Sequence, residues 1–329
     1  MFAVYAEAPN FNDPLSAVVV GERPAPSPRV GWVRVKLEAA SLNWHDLWTL
    51  RGLGGMNGRP EAFPMILGSD GAGTLDDGTP VALYPLMGDP DWRGDETLDP
   101  RRTVLAEEVQ GTFADFVAVP TRNAVPLPAG IARDTAAILG ATWLTAYRML
   151  FTKARVRPGQ TVLVQGASGG VATALIQLGH AAGLRVWATG RGATKRELAL
   201  RLGAQRCFES GESLPAPVDA VFDLVGTATF AHSIKHVKAG GVVVVAGGAS
   251  GLEATLDLAR VFIEQITIVG SFDGTLHEFL ELLDFVAQAG IKPHVGHVLL
   301  MTDAVEGLRR MLAGETMGKI VLTRRQADS

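Results

Sequence analysis

The stretch Thr161-Val-Leu-Val-Gln-Gly-Ala-Ser-Gly-Gly-Val-Ala172 carries the strongest chemical pattern in the chain. An apolar run, Thr161 to Gln165, ends in a glycine turn. The turn opens a helical stripe of Val171, Ala174, Leu175, Leu178 and Ala182, stopped by Gly183. Such a turn gathers backbone N–H groups at the positive end of a helix dipole, which suits a pyrophosphate. Gly166 permits the tight turn, and Gly169 lets backbone approach the phosphates. Ala172 stands at or near the third glycine of GxGxxG, where alanine still allows close packing of helix on strand. Glycines alone would serve turn geometry. The strand–turn–helix context favours a dinucleotide, held by Gly166, Ser168, Gly169, Gly170 and Val171.

The end of the next strand bears on which dinucleotide. An acid there would bind the ribose hydroxyls of NAD. Val186-Trp-Ala-Thr-Gly-Arg191 has none, and offers Thr189, Gly190, Arg191 and, one turn on, Lys195. Guanidinium and ammonium groups suit a 2′-phosphate that a carboxylate would repel. NADP(H) is therefore expected, against the plainer reading that Arg191 and Lys195 solvate a helix start.

The elements that must hold these residues fall into two textures. Residues 1 to about 125 are short β-like runs broken by Gly, Pro and Asp. Val33 to Leu37 alternates with period two, and Pro80 to Pro85 and Phe113 to Val119 read similarly. Met87 to Glu108 reads as a polar surface excursion, and Val125 to Gly130 as a hinge. Beyond it, strands at 161–165, 185–189, 220–225, 242–246 and 266–269 alternate with helices, after a helix expected from Asp134 to about Phe151. That order means a doubly wound parallel sheet. Helices at 276–289 and 303–313 and a strand at 319–323 close the chain.

Composition bounds the function. With 329 residues, 47% hydrophobic and 19% charged, the chain supports two cored domains and excludes disorder. A net charge of −4 without a basic block excludes nucleic acid and favours a small-molecule partner. No apolar run approaches the ~18 residues of a membrane span. The start MFAVYAEAPN lacks a signal-peptide pattern, and a cytoplasmic setting is expected. The single Cys207 excludes an internal disulfide and any multi-cysteine zinc site.

Several further segments carry a resemblance: Leu42-Asn-Trp-His-Asp-Leu-Trp-Thr-Leu-Arg-Gly52, Phe63-Pro-Met-Ile-Leu-Gly-Ser-Asp-Gly-Ala-Gly73, Leu139-Gly-Ala-Thr-Trp-Leu-Thr-Ala-Tyr147 and Gly314-Glu-Thr-Met-Gly-Lys-Ile-Val-Leu322. With the nucleotide loop, they resemble the medium-chain dehydrogenase/reductase superfamily, in its zinc-independent quinone reductase-like branch. The resemblance implies a GroES-like, mainly β substrate domain (1–125 with 272–329) around a Rossmann NADP(H)-binding domain (126–271), and a homodimer joined through Rossmann sheets. Zinc relatives place ligands where this chain has Asn43, Ser69 of Gly68-Ser69-Asp70, and approximately Ala141. Amide, hydroxyl and methyl groups do not replace thiolate and imidazole, so no metal is expected.

Without zinc, hydride addition to a quinone or an α,β-unsaturated carbonyl is easier than alcohol oxidation, because charge develops on a distant oxygen that one or two donors can hold. Asn43, His45 and Tyr84 are the candidate donors. Relatives set the Asn43 segment against the nicotinamide; a turn-capping Asn is an equal alternative. Some relatives carry a tyrosine at the position of Trp48. Trp44, Trp48 and Trp143 are candidates for an aromatic pocket for a flat apolar acceptor, with core packing the alternative. Thr142, Gly247, Gly248, Ala249, Ser271 and Lys319 are expected toward the cofactor. His232 and His236 have the i,i+4 spacing of a metal pair but no evident third ligand. A zinc-free alcohol or aldehyde dehydrogenase and a non-catalytic NADPH-binding redox sensor remain as alternatives.

Overall fold

The computed structural model describes residues 1–54 and 62–324. They divide into two compact units, one of 1–144, 274–290 and 295 onward, the other of 145–273 and 291–294. The first is mainly β and the second α/β, the two textures expected. The division falls at Leu144/Thr145 rather than at 125/126: Val125 and Pro126, the first residues of the expected hinge, pair with Ala82 and Val81, and the Leu127 N–H donates to the Pro80 carbonyl.

In the first unit the chain forms strands β1 (Phe2–Ala6), β2 (Val18–Glu22) and β3 (Trp32–Ser41), then helix α1 (Trp44–Leu50). Strands β4 (Met65–Ile66), β5 (Asp70–Leu75), β6 (Pro80–Leu83), β7 (Leu86–Met87), β8 (Thr103–Val104), β9 (Phe116–Pro120) and β10 (Ala124–Pro126) follow. The period-two alternation of β3 is realised: Val35 and Leu37 are buried and Lys36 is exposed. Strand β10 pairs with β6, Val125 opposite Ala82. The surface excursion 87–108 is partly structural. Asp95 caps a short turn at Glu96–Leu98, and Glu96 accepts both the Tyr84 hydroxyl and the Leu276 N–H.

The expected helix 134–151 is not continuous. It starts as α2 (Arg133–Ala136), widens into an i→i+5 turn over Leu139–Trp143, resumes as α3 (Leu144–Tyr147), and widens again over Arg148–Lys153. Gly140 sits at the first widening. A Cβ there would lie 2.6 Å from the Leu83 carbonyl oxygen and 2.9 Å from Asp70 Oδ1. The wider turn thus brings bare backbone against β5 and β6.

The second unit runs β11 (Thr161–Gln165), α4 (Gly170–Ala181), β12 (Arg185–Thr189), α5 (Ala193–Arg201), β13 (Arg206–Phe208), β14 (Val218–Asp223), α6 (Phe230–His236), β15 (Val237–Val245), α7 (Leu258–Ile263) and β16 (Thr267–Gly270). All its strand pairs are parallel, in the order β13-β12-β11-β14-β15-β16. Counted from β11 this is 3-2-1-4-5-6, the order of a dinucleotide-binding sheet. Its core joins Leu163, Trp187, Val218, Val221, Ile234, Val237 and Val243.

The chain then returns to the first unit with α8 (Leu276–Gln288), β17 (Val295–Leu300), α9 (Ala304–Leu312) and β18 (Lys319–Thr323). Strand β17, which carries His297, pairs parallel with β18. Strand β18 also pairs antiparallel with β3, Val321 opposite Ser41. Ile320 and Leu322 pack with Leu42, Leu47, Leu50 and Leu67. This last pairing brings Lys319 to the start of α1.

Candidate active site

In the first unit, Asn43 ends the chain's exit from β3 and caps α1. Its backbone N–H donates to Asp46 Oδ2 at 2.7 Å, the reciprocal half of a capping box. Asp46 Oδ1 accepts the Gly68 N–H at 2.9 Å. The Asp46 carboxyl is fully enclosed, and burial pushes its pKa up to about 6 despite those two donors and the nearby charges of His45 and Lys319.

The Asn43 side chain faces inward. Its Nδ2 donates toward Asp70 Oδ2 (3.0 Å), Ser69 Oγ (3.2 Å) and the Ser41 carbonyl (3.4 Å). Its Oδ1 accepts from Lys319 Nζ at 2.6 Å. Lys319 also donates to the Leu42 carbonyl at 2.7 Å and to Asp70 Oδ2 at 3.3 Å, so three acceptors meet its three hydrogens. Asp70 further accepts the Ser41 hydroxyl and, on Oδ1, the Ala141 N–H at 2.6 Å. Burial pulls the Lys319 ammonium below the usual lysine range, and the carboxylates of Asp70 and Asp46 oppose that pull.

The arrangement changes the expected roles. Both donor groups of Asn43, side chain and backbone, have internal acceptors. Lys319, expected toward the cofactor, is instead the internal cation of this network. Tyr84 is fully buried; its hydroxyl faces Glu96 Oε2 and the Gly274 carbonyl, and its ring stacks on Phe279. His45 keeps 16% exposure, with Nε2 3.1 Å from Oε1 of Glu107, a buried carboxylate that also accepts from Thr103 and the Val104 N–H. Trp44 and Trp48, one turn apart on α1, are each 43% exposed on the same helix face, whereas Trp143 is fully buried. Thr142 Oγ1 donates to the Ile138 carbonyl.

The positions expected to match the ligands of zinc relatives carry an amide, a hydroxyl and a methyl, and the amide is bonded to the buried Lys319 ammonium. This donor set does not fit zinc.

In the second unit, Gly166 turns with φ +88° directly after β11, and Gly169 is the N-cap of α4. A Cβ on Gly169 would meet nothing within 4 Å, so the helix start is open on that side. Its first amides lack intrahelical partners and suit an anion. Gly190 is required by close approach, since a Cβ would lie 2.9 Å from that of Ala167. Gly247 is held against the Leu224 carbonyl and Gly248 against the Gly251 carbonyl. Ser271 Oγ is buried without a hydrogen-bond partner at the end of β16, an orphan that a polar ligand group would satisfy. These features fit a dinucleotide. Thr189 is buried beneath the loop and accepts the Gly166 N–H.

Two residues at the adenosine corner escaped the sequence reading. Arg196 donates to the Gly190 carbonyl and pairs with Glu209, whose carboxylate also accepts the Gly192 N–H. An acid therefore does stand near this turn, contributed from beyond β13 rather than from the end of β12. Arg191 is exposed and Lys195 half-buried. Cys207 lies in β13, and burial pushes its thiol up to about 11.

Residues 29–129 match the alcohol dehydrogenase GroES-like domain family, and 170–288 the zinc-binding dehydrogenase family. A crystal structure described as an NAD-dependent alcohol dehydrogenase superposes with a TM-score of 0.91 at 33% identity, over 99% of this chain and 100% of that one. The chain belongs to the medium-chain dehydrogenase/reductase superfamily. Quinone oxidoreductase of Rattus norvegicus is 28% identical over 90% of each chain. Acryloyl-coenzyme A reductase of Metallosphaera sedula is 28% identical over 91% of this chain and 94% of its own length. The protein is an oxidoreductase of this superfamily, whose members use a nicotinamide cofactor. Among the described residues, no helix is long and apolar enough to cross a membrane.

Proposed function

We propose that this protein is a zinc-independent, NADPH-dependent oxidoreductase that reduces a quinone or an α,β-unsaturated carbonyl. The observation that carries the reading is the buried Lys319–Asp70–Asn43 network, in which Asn43 stands at one of the positions expected to match a metal ligand of zinc relatives. Without a Lewis acid, reduction of a conjugated acceptor is the chemistry left easiest. The names of the rat and Metallosphaera relatives point the same way. Likeness to an NAD-dependent alcohol dehydrogenase favours the second reading, a zinc-free alcohol or aldehyde oxidoreductase.

The bound nicotinamide supplies the hydride. The chain's own residues do the rest. Gly166, Ser168, Gly169, Gly170 and Val171 hold the pyrophosphate, with Arg191 and Lys195 on the 2′-phosphate. Trp44 and Trp48 offer a flat apolar face to the acceptor. We assign proton delivery to His45, which keeps partial exposure and is backed by Glu107.

A second copy of the chain completes the assembly. Strand β16 is a sheet edge with Ile268 exposed, and the adjacent α7 buries none of its residues, leaving Leu258, Phe262 and Ile263 in solvent. An unpaired edge beside an apolar helix suits isologous pairing of two such sheets.

Steady-state NADPH oxidation with quinones, enones, aldehydes and, in reverse, alcohols tests the reading, with zinc measured by elemental analysis. Turnover of quinones or enones with less than one-tenth of a zinc per chain is expected. Near-stoichiometric zinc, or turnover of alcohols alone, overturns it.

A further inference from the structure

The i,i+4 pair His232 and His236 binds no third ligand, but it closes a hydrogen-bond chain whose direction can be worked out atom by atom. Asp223, fully buried at the end of β14, accepts from Val225 N–H, Gly226 N–H, the Thr229 hydroxyl and the Ser233 hydroxyl, the last at 2.6 Å. The Ser233 hydrogen is therefore spent, and its oxygen accepts from Gln165 Nε2 at 3.0 Å. That fixes the amide orientation: Gln165 presents NH₂ to Ser233 and to His232 Nδ1, at 2.8 Å. Its Oε1 then accepts the Thr189 hydroxyl at 2.8 Å, and Thr189 Oγ1 accepts the Gly166 N–H at 3.1 Å.

His232 must consequently be neutral, with Nδ1 as acceptor. Its other nitrogen agrees: Nε2 lies 2.7 Å from the Glu212 carbonyl, which only accepts, so Nε2 carries the hydrogen. His236, with its ring centroid 4.1 Å from that of His232, is fixed the same way. Its Nδ1 donates to the His232 carbonyl and its Nε2 accepts the Leu214 N–H. Burial holds His236 below the usual imidazole range, and His232, Lys235 and Arg260 push in the same direction.

We propose that His232 is a positioning residue for the nucleotide loop: as a neutral acceptor it holds Gln165, Gln165 holds Thr189, and Thr189 holds Gly166 where the loop receives a pyrophosphate. It acts through two side chains, Gln165 and Thr189, and touches no substrate. A proton on Nδ1 would face a donor hydrogen of Gln165. Turning the amide over would lose the Ser233 bond and leave the Thr189 hydrogen without its acceptor. The charged neighbours do not offset this. Lys235 and Arg260 are cations, Asp223 is already saturated, the Glu212 carboxylate accepts the Glu209 N–H, and the Glu209 carboxylate pairs with Arg196. Protonating His232 would therefore displace Gln165 and, through Thr189, disturb the loop and its affinity for nucleotide.

The inference rests on 166–171 being the cofactor loop, and the test separates the two claims. The full chain, labelled with nitrogen-15, is titrated from pH 8 to 5.5 while the His232 ring and Gly166 amide resonances are followed. NAD⁺ affinity is measured at both ends of the range, because NAD⁺ lacks the 2′-phosphate, which itself titrates near ~6. The Gly166 amide is expected to move with His232 protonation, and NAD⁺ binding to weaken about three- to tenfold at acid pH, the loss of roughly one hydrogen bond. His232→Asn, whose amide oxygen can stand at the place of Nδ1, keeps the affinity and flattens the pH dependence. His232→Leu binds at pH 8 as wild type does at pH 5.5, with thermal unfolding confirming that it is folded. Wild-type affinity in His232→Leu at pH 8, or an unchanged pH ratio in His232→Asn, overturns the proposal. If no variant binds nucleotide at any pH, the cofactor reading has failed, and the Gly166 amide alone decides whether His232 sets the loop.

Discussion

Lys319 and Asp70, 249 residues apart in sequence, meet at 3.3 Å with both side chains enclosed. The antiparallel pairing of β18 with β3 delivers Lys319, and β5, paired on the other edge of β3, delivers Asp70. The pair is a junction of three strands, and Asn43 is clamped between its charges.

Removing one partner of a buried ion pair leaves the other uncompensated, at a cost of about 3–5 kcal/mol. Lys319→Met is expected to lose stability on that scale in urea unfolding. Adding Asp70→Asn should recover part of the loss, since an amide leaves no stranded charge and its oxygen still accepts from the neighbouring donors. A double variant no more stable than Lys319→Met would show that the ion pair is not what Lys319 contributes.

Asp46 sets a pH dependence of stability. Its pKa is raised by burial from 3.8 to about 6. The folded state therefore holds the proton more tightly than the unfolded chain. The associated stability is present below about pH 4 and lost as pH rises through about 6, by roughly 3 kcal/mol. Asp46→Asn has no such group. Its stability relative to wild type should improve by about that amount between pH 4 and pH 7.5, measured by urea unfolding at both. A constant difference would mean that Asp46 is ionised throughout.

The parts that sequence pattern made legible are those governed by local rules. The Thr161–Gly183 segment showed its strand, turn and helix because periodicity and glycine chemistry are written in neighbouring residues. Asn43 followed by Asp46 is a capping-box pattern, and it was legible in principle. The Lys319 network was not, because its partners come from four separated segments and only strand pairing joins them. The wide turn at Leu139–Trp143 was hidden for the same reason: the sequence reads as a helix, and the pressure for bare backbone at Gly140 comes from Leu83 and Asp70. Glu209 was missed because the acid was sought at the end of β12, while the chain supplies it from beyond β13.

His45 carries the proposed proton delivery. His45→Gln is expected to lower enone reduction about a hundredfold, the low end of general-acid effects. Quinone reduction should fall less, since the reduced oxygens take protons from solvent. The wild-type pH profile with enone should show a group that disappears in the variant. Equal rates for both enzymes at all pH values would remove His45 from the reaction.

The edge formed by β16 and α7 predicts oligomeric state. Phe262→Asp with Ile268→Asp places two carboxylates on an otherwise apolar surface without touching a buried side chain. Sedimentation should show a dimer for wild type and a monomer for the variant, with folding intact by circular dichroism. A wild-type monomer, or a variant that remains dimeric, would remove this edge as the interface.

Cofactor choice turns on the adenosine corner, where Arg191 is exposed and Arg196 is engaged by Glu209. If Arg191 and Lys195 meet a 2′-phosphate, Arg191→Ala should weaken NADPH and leave NADH nearly unchanged. A charge-assisted contact contributes about 1.5–3 kcal/mol, or roughly 10- to 150-fold, and exposure places Arg191 at the low end because salt screens it. Glu209 acts in the opposite sense, holding Arg196 and adding negative charge beside the Gly192 amide. Glu209→Gln should therefore tighten NADPH several-fold, with little effect on NADH. Titrating both nucleotides into wild type and the two variants at low and high salt measures these differences. Loss of both nucleotides in Arg191→Ala would mean that the guanidinium supports the turn or the adenine. Tighter NADH than NADPH in wild type, reversed in Glu209→Gln, would make Glu209 the ribose-binding acid and the enzyme NAD-dependent.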